Sequence, residues 1–392
     1  MRKIIHIDLD AFFCAVEERY DPTLAGKCFA VGGAADRRGV VASCSYAARQ
    51  KGVRSAMPMA KAMRLCPELI RVHGTRANYG RASRHVMSVL RRFTKTIQQI
   101  SVDEAFLDVS DFDGPMKTIG REIQEGVNVE TRLPCSLGIA TNKLVAKIAN
   151  DYGKSLYHGN SYPNALTVIE PGKEQKFLAP LPLRRLWGVG PKTADVLQKR
   201  GLMVIGDLVK ESDLQLEEWF GSTGPHLRKY AMGIDDRPVA HTPAKNKSIS
   251  NETTFANDVT QAVVLESAIE RIGRGLGDRL KRHKSRATVV RIKFRWSDFS
   301  TFTRQTTVTP TDDGAEIARI GVDLLRKNWD REKPIRMIGV AVSGLVNKSD
   351  QLSLWDQEVE KNQEIFEAIS SLEERFGSDV IKKGKMLKKE DS

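Results

Sequence analysis

Cysteine is scarce and poorly spaced for chemistry. The five cysteines, Cys14, Cys28, Cys44, Cys66 and Cys135, are odd in number, and no two form a CxxC pair. This argues against a disulfide framework or a zinc site and for reduced thiols in the cytosol. The seven histidines are scattered, with no HExxH. No apolar run reaches the roughly 20 residues that span a bilayer. The N-terminal stretch MRKIIHIDLD is too short and too acidic for a signal peptide. Long internal repeats and low-complexity tracts are missing too. Acidic residues are in deficit: 49 Asp+Glu stand against 62 Lys+Arg, a net charge of +13. The excess points to a polyanionic partner, although chain-wide basicity without any binding site reads about as well from charge alone.

What is present is a chain of 392 residues, enough for about two to four domains with sizeable cores. Residues 3–9 (KIIHIDL) read as a buried strand and 11–20 as a short helix. Residues 21–73 are choppy, with Gly, Pro and short helical pieces. An amphipathic helix over 77–94 carries Tyr79, Ala82, Val86, Leu90 and Phe93 at helical spacing. A strand over 97–109, a helix near 116–131, a strand at 135–140 and a helix at 142–151 complete an α/β or α+β pattern. Residues 155–164 (SLYHGNSYPN) form a polar loop, and 166–231 are mainly short helices. The stretch IDDRPVAHTPAKNKS, 234–248, has the composition of a linker. Beyond it come a strand at 248–255, a helix at 258–283, strands at 287–296 and 301–308, a helix at 313–327 and a strand at 335–343. That order, βαββαβ, is a split-βαβ sheet backed by two helices. Residues 348–392 are a charged tail.

Two acidic pairs raise a chemical question. In SVDEAFLDV, Asp103 and Glu104 are adjacent with no basic neighbour in sequence. They repel each other and are costly to bury unpaired. In IIHIDLDAFF, Asp8 and Asp10 are two apart and share one face of a strand. If strands 3–9 and 97–109 pair, Asp8, Asp103 and Glu104 converge, and a pair of Mg²⁺ ions would neutralise them. Two divalent ions about 3.5–4 Å apart serve in-line displacement at phosphorus. Either acidic pair alone reads as solvated residues at a strand end; both in one domain shift the balance towards metal.

The segments IIHIDLDAFFCAVE, VVASCSYAARQKGVRSAMPMAKA and SVDEAFLDV, in this order and spacing, closely resemble the Y-family translesion DNA polymerases, nearest the bacterial polymerase IV branch. The resemblance runs from residue 1 to about 355. It implies an α+β multidomain right-hand polymerase. The palm would comprise residues 1–18 and 74–165, the fingers 19–73 and a helical thumb 166–233. A linker at 234–247, a βαββαβ little finger at 248–347 and a tail at 348–392 would follow. It implies a cytoplasmic bacterial enzyme of low fidelity. The enzyme would transfer a nucleotide from a dNTP to a primer 3′-hydroxyl on primed template DNA, with two Mg²⁺ ions. Asp8, Asp103 and Glu104 become the catalytic metal ligands, with the Leu9 backbone carbonyl, and Asp10 a supporting residue. Phe13 becomes the steric gate that excludes a ribose 2′-hydroxyl; without the resemblance, Phe12 and Phe13 read as core aromatics. Tyr46 and Arg49, three apart on one helical face, and Lys154 would hold the triphosphate. A surface pair is the alternative for Tyr46 and Arg49. The family commonly runs Lys-Pro and directly into a strand, whereas here KSLYHGNSYPNALTV is several residues longer. Ala42 and Ser43 would roof the nascent base pair with small side chains.

Three features fit a grip on nucleic acid. LRRLWGVGPKTADVLQKRGL, 183–202, resembles a helix-hairpin-helix, with Gly188, Gly190 and Lys192 at its phosphate-facing turn. Residues 271–295 hold ten Lys/Arg against the single acid Asp278, a net +9. On the strand VVRIKFRW, Arg291, Lys293 and Arg295 face one way and Ile292, Phe294 and Trp296 the other. This gives a basic plate fit for duplex phosphates, against the alternative of a merely solvated face. QLSLW, 351–355, resembles the motif that binds the replicative sliding clamp. Gln351 would be its polar anchor and Leu352, Leu354 and Trp355 its apolar plug, unless the segment docks back on its own domain. The chain is expected to act as a monomer, without a proofreading exonuclease or a membrane. The rivals are another two-metal enzyme, such as a nucleotide cyclase or nuclease, and a non-catalytic DNA- and clamp-binding protein. The helix-hairpin-helix, the plate and QLSLW count against the first rival, and the retained acids count against the second.

Overall fold

The apolar run at the N-terminus becomes the central strand of a sheet. In the computed structural model, which describes residues 1–240 and 245–347, β1 (Ile4–Leu9) is buried along nearly all its length. It leads into α1 (Phe12–Tyr20). Next come β2 (Phe29–Gly32), β3 (Val41–Cys44), α2 (Tyr46–Gln50), α3 (Met59–Leu65) and β4 (Ile70–Val72). They are followed by α4 (Arg76–Leu90), β5 (Ile97–Gln99), β6 (Glu104–Asp108), α5 (Met116–Thr131), β7 (Cys135–Ala140), α6 (Lys143–Ser155) and β8 (Leu166–Val168). Short helices then run through α7 (Glu174–Leu178), α8 (Pro191–Gln198), α9 (Ile205–Lys210), α10 (Asp213–Phe220) and α11 (Thr223–Ala231). The remainder is β9 (Ser248–Val259), α12 (Ala262–Arg282), β10 (Ser285–Trp296), β11 (Thr301–Thr311), α13 (Gly314–Asn328) and β12 (Ile335–Asn347). The chain divides into two compact units near Lys245. No helix among the described residues is long and apolar enough to cross a membrane.

In the first unit, five strands lie in the order β5-β6-β1-β7-β8, with β1 antiparallel to both neighbours and β8 parallel to β7. The period of two sends alternate β1 side chains to opposite faces. Ile5, Ile7 and Leu9 pack with α1, α4 and α5, and Ile4 packs with Phe106 of β6 and with α6. Burying each such side chain contributes about 1.5–3 kcal/mol. A smaller sheet, β3-β2-β4, carries α2 and α3.

Two expected boundaries move. Residues 166–168 were expected to begin the helical region, yet they pair with β7 and extend the five-stranded sheet past residue 165. A three-residue strand shows no periodicity to betray it. The linker expected from residue 234 is also packed at its start. Asp235 is buried, accepts the Leu144 amide at the start of α6 at 3.1 Å, and takes Arg237 in a fork at 2.7 and 3.0 Å. Val239 is buried as well.

Burial alone would raise the Asp235 carboxyl, but Arg237 and the Leu144 amide outweigh it and hold it below the usual carboxylate range. Its stabilisation is therefore present above the unfolded carboxylate pKa of about 3.9 and lost as pH falls through the lower folded value. Asp235→Ala is expected to destabilise the protein by about 2 kcal/mol, because it leaves the buried Leu144 amide without its acceptor, whereas the half-exposed Arg237 can turn to water. A denaturant melt at neutral pH checks this; a midpoint equal to wild type would contradict it.

The second unit is the expected βαββαβ arrangement. Its strands lie in the order β11-β10-β12-β9, and α12 and α13 pack against the sheet. Leu265, Ile269, Ile272, Leu276 and Leu280 of α12 are buried, as their spacing predicts.

Candidate active site and nucleic-acid surfaces

Alternation also decides where the acids go. His6 and Asp8 share the face of Ile4, and Glu104 shares the face of Phe106, so all three lie on the side of the sheet that α6 covers. Asp8 and Glu104 stand directly opposite each other across β1 and β6. The expected pairing with strand 3–9 thus forms, but only through 104–108: the single strand expected over 97–109 is two strands, β5 and β6, folded back on each other through a turn at 100–103 that carries Asp103. Asp103, in the turn before β6, accepts the Leu9 amide on its carbonyl at 3.0 Å. Its carboxylate accepts Ser101 Oγ at 2.5 Å.

Helix α6 comes unusually close to the sheet. A Cβ at Gly138 of β7 would sit 2.0 Å from the Ala146 carbonyl oxygen, so only glycine admits the helix. Asn142 caps it, accepting the Val145 amide at 3.0 Å. The Asn150 side chain ties it down by donating to the carbonyls of Ser136 at 2.9 Å and His6 at 3.2 Å. Lys147 and Lys154, two turns apart, therefore point at the acids. Lys154 Nζ donates to Asp8 Oδ1 at 2.6 Å and lies 3.3 Å from Asp10 Oδ1. Lys147 Nζ reaches both Glu104 oxygens, at 3.2 and 3.3 Å. The acids have basic neighbours after all. Those neighbours lie 43 and 146 residues away in sequence, out of reach of a local reading.

The electrostatics separate the carboxylates. Burial pushes the Asp8 carboxyl up to about 7, against the pull of Lys154 and with Glu104 and Asp103 adding to it. The His6 ring, 3.8 Å away, and Lys147 hold Glu104 well below the usual carboxylate range. Burial lowers His6 itself. Burial also opposes the charge of Lys154, but Asp8 and Asp10 overcome this and raise it. Asp10 is fully buried and has a different set of partners. It takes Ser136 Oγ at 2.9 Å on both oxygens and the Asn164 amide at 3.1 Å. It is a tether for Lys154 and for the chain entering β8.

Among the described residues, the three-residue group whose potential ligand atoms all lie within 4.8 Å of one another is Cys28, Cys66 and Glu68, not Asp8, Asp103 and Glu104. Each carboxylate also has a partner of its own, Asp8 in Lys154, Glu104 in Lys147 and Asp103 in Ser101, while Asp8 and Glu104 are close enough to hydrogen-bond to each other. The donor set still suits a hard divalent cation. It is all oxygen, it gathers at one strand end, and the Asp8 carboxylate is costly to leave charged. All five cysteines are free thiols.

The nucleotide residues surround this corner. The Phe13 ring at the start of α1 lies 4.3 Å from that of Tyr79. Tyr79 is in turn pinned by donating to Glu17 Oε1 at 2.6 Å. Tyr46 and Arg49 do share a face of α2, and the guanidinium lies 4.5 Å over the Tyr46 ring. On β3, Ala42 is exposed whereas Ser43 is buried. Alternation therefore leaves Ala42 outward and turns Ser43 inward.

At the expected hairpin, Gly188 adopts φ +97°, Gly190 caps α8 and Pro191 takes its first position, with Lys192 exposed beside it. The first helix of the motif is only the short turn Leu183–Arg185. On β10, Ile292 and Phe294 are buried, and Arg291 is exposed on the other face. Arg291 holds Gln305 at 2.6 Å, Arg295 holds Thr301 at 2.9 Å, and Lys293 is paired with Glu252 at 3.0 Å. The plate is thus less uniformly basic than the sequence implied. Gln351, Leu352, Leu354 and Trp355 lie outside the described residues.

Residues 7–151 match the impB/mucB/samB family. Residues 171–202 match the helix-hairpin-helix motif of the IMS family, and 246–354 match the impB/mucB/samB family C-terminal domain. The chain is 34% identical to DNA polymerase IV of Bacillus velezensis over 100% of its length and 94% of that protein. It is 39% identical to DNA polymerase IV of Pseudomonas syringae pv. tomato, with 90% of this chain and 99% of that one covered. Among solved structures it is similar to a Y-family DNA polymerase chimera of Dbh and Dpo4. The TM-score is 0.78 and the identity 26%, covering 88% of this chain and 99% of that one.

Proposed function

We propose a mechanism from a firm premise: the chain belongs to the impB/mucB/samB family, the Y-family of translesion DNA polymerases, and is itself a DNA-directed DNA polymerase. Its substrates are primed template DNA and dNTPs. The observation that carries the assignment of the centre is the pairing of β1 with β6, which sets Asp8 opposite Glu104 with Asp103 beside them. Asp8, Asp103 and Glu104, with the Leu9 carbonyl, would hold two Mg²⁺ ions, which make the primer 3′-hydroxyl a better nucleophile and neutralise charge on the triphosphate.

The rest is positioning by the chain's own residues. Arg49, Tyr46 and Lys154 grip the triphosphate, with Arg49 contributing a fork of donors and Lys154 a point charge. The Phe13 ring, backed by Tyr79, lies under the sugar and excludes a 2′-hydroxyl. The small, exposed Ala42 leaves room over the base pair, which suits damaged templates. With these groups in place, the 3′-oxygen bonds to the α-phosphorus as the bond to the β-phosphoryl oxygen breaks. Pyrophosphate leaves and the hydroxyl proton passes to solvent water. Synthesis is of low fidelity and has no proofreading exonuclease.

The residues divide into palm, fingers, thumb and little finger as the family pattern has it, with β8 assigned to the palm. Duplex phosphates meet the start of α8 at Gly190 and Lys192, and the face of β10 that carries Arg291, Lys293 and Arg295. Gln351, Leu352, Leu354 and Trp355 take the sliding clamp, and the protein works as a monomer.

The DNA reading has a simple thermodynamic test. The slope of log binding constant against log salt falls by about 0.9 for each phosphate contact removed. Arg291→Ala with Arg295→Ala is expected to flatten it by about two contacts' worth, with the same loss of affinity on templates of different sequence. A slope equal to that of wild type would remove β10 from the binding surface.

A further inference from the structure

Ten residues, 156–165, connect α6 to β8, and they are bonded at both ends to parts of the proposed triphosphate site. At the β8 end, Asn164 donates its amide to Asp10, the same carboxylate that Lys154 approaches, and its side-chain Oδ1 accepts the Cys135 amide at 3.2 Å. Gln124 donates to the Asn164 carbonyl at 3.0 Å. Asn164 takes φ +43°, a left-handed conformation that asparagine tolerates better than most residues. At the other end, the loop reaches α2. Gln50 Nε2 donates to the carbonyls of His158 at 2.8 Å and Gly159 at 3.2 Å. The rings of Tyr157 and Tyr162 meet the Tyr46 ring edge-on, with centroids 5.9 and 5.7 Å away. The loop braces itself between them: the Tyr157 hydroxyl contacts Ser161 Oγ at 2.5 Å and accepts the Ser161 amide at 3.2 Å.

Tyr46 thus has one ring partner in Arg49 and two in the loop. Edge-on aromatic contacts are worth about 0.5–1.5 kcal/mol each beyond area burial, enough to fix the ring's orientation. Nothing in the chemistry of the carboxylates needs these tyrosines. We propose that residues 156–164 form a strap that fixes Tyr46, and through it Arg49, relative to Lys154, so that the pocket for the nucleotide 5′-triphosphate is set before the nucleotide arrives. Tyr157 and Tyr162 are positioning residues for that triphosphate. The inference rests on the reading of Tyr46, Arg49 and Lys154 as its grip.

Preorganisation of this kind acts on the binding of the triphosphate and of pyrophosphate. It leaves primer-template affinity untouched. The test is single-nucleotide insertion on a primed template by the full chain, comparing wild type with Tyr157→Ala/Tyr162→Ala. The double variant is expected to raise the dNTP KM about tenfold and weaken inhibition by inorganic pyrophosphate by a similar factor. Its kcat and DNA affinity should stay near wild type, while the melting temperature falls with the loss of two packed rings. Tyr162→Phe should keep the wild-type KM, because the ring and not the hydroxyl meets Tyr46.

An unchanged KM and pyrophosphate inhibition in the double variant would overturn the strap. So would a loss of kcat with KM held, which would make the loop a structural cover only. Arg49→Ala separates the two layers of argument. If it raises KM and the tyrosine variant does not, the strap alone fails; if it too leaves KM unchanged, the triphosphate reading beneath it fails.

Discussion

Glu104→Gln is expected to slow nucleotide insertion by about a thousandfold, roughly 4 kcal/mol of lost transition-state stabilisation, while primer-template affinity stays within about twofold. The substitution keeps the shape of the side chain and one oxygen for Lys147 to hold, so the β1–β6 pairing has no reason to change. What it removes is the charge. The surroundings of Glu104, the His6 ring and Lys147, keep it ionised across the whole working pH range. A structural carboxylate in this position would tolerate the amide well, because its hydrogen bond to Lys147 survives. Insertion kinetics beside a melting curve distinguish the two. Activity within about tenfold of wild type would remove Glu104 from the catalytic set.

Lys154→Met should have the largest effect on stability, about 3 kcal/mol, or roughly 6–12 °C in the melting of the unit that contains it. Methionine fills the same space without the charge. Asp8 then loses a partner at 2.6 Å and the fully buried Asp10 one at 3.3 Å. Without the lysine both carboxyls are pushed further up and must take up protons or stay charged without a partner, and either course costs more than the pair itself contributes. In the structure the lysine does part of the neutralising that a divalent cation would do in the working enzyme. Millimolar Mg²⁺ is therefore expected to restore part of the lost melting temperature in the variant, and to do so more than it stabilises wild type. A melting temperature insensitive to the substitution, or a loss that Mg²⁺ leaves untouched, would contradict this account of the site.

The legible part of this fold was the part written in local periodicity. The apolar run 3–9, the helical spacing of Tyr79, Ala82 and Val86, and the alternation of Arg291, Ile292, Lys293 and Phe294 each specified an element and its buried face. The acids at the ends of two strands could be found the same way, because an ionisable pair beside an apolar run is conspicuous. The cations that answer them could not. Lys147 and Lys154 look like an ordinary polar face of α6 until the sheet order brings them under Asp8 and Glu104. Only Gly138 hinted that a helix lay close to that strand. The same limit explains β8, too short to show alternation, and the approach of Cys28 to Cys66 and Glu68, which no CxxC spacing announces. It also explains the loop after α6. Its sequence, rich in Tyr, Asn, Gly and Pro, reads as a solvated turn, whereas its tyrosines close on a ring more than a hundred residues earlier in the chain.

The most direct measurement is single-nucleotide insertion on four primed templates that differ only in the next template base. Each of the four dNTPs would be offered with Mg²⁺, and wild type run beside Asp103→Ala and a metal-free control. The account predicts that wild type favours the complementary nucleotide on every template, and that both controls stop. Insertion that ignored the template base, or that survived Asp103→Ala, would contradict a templated polymerase centred on these carboxylates.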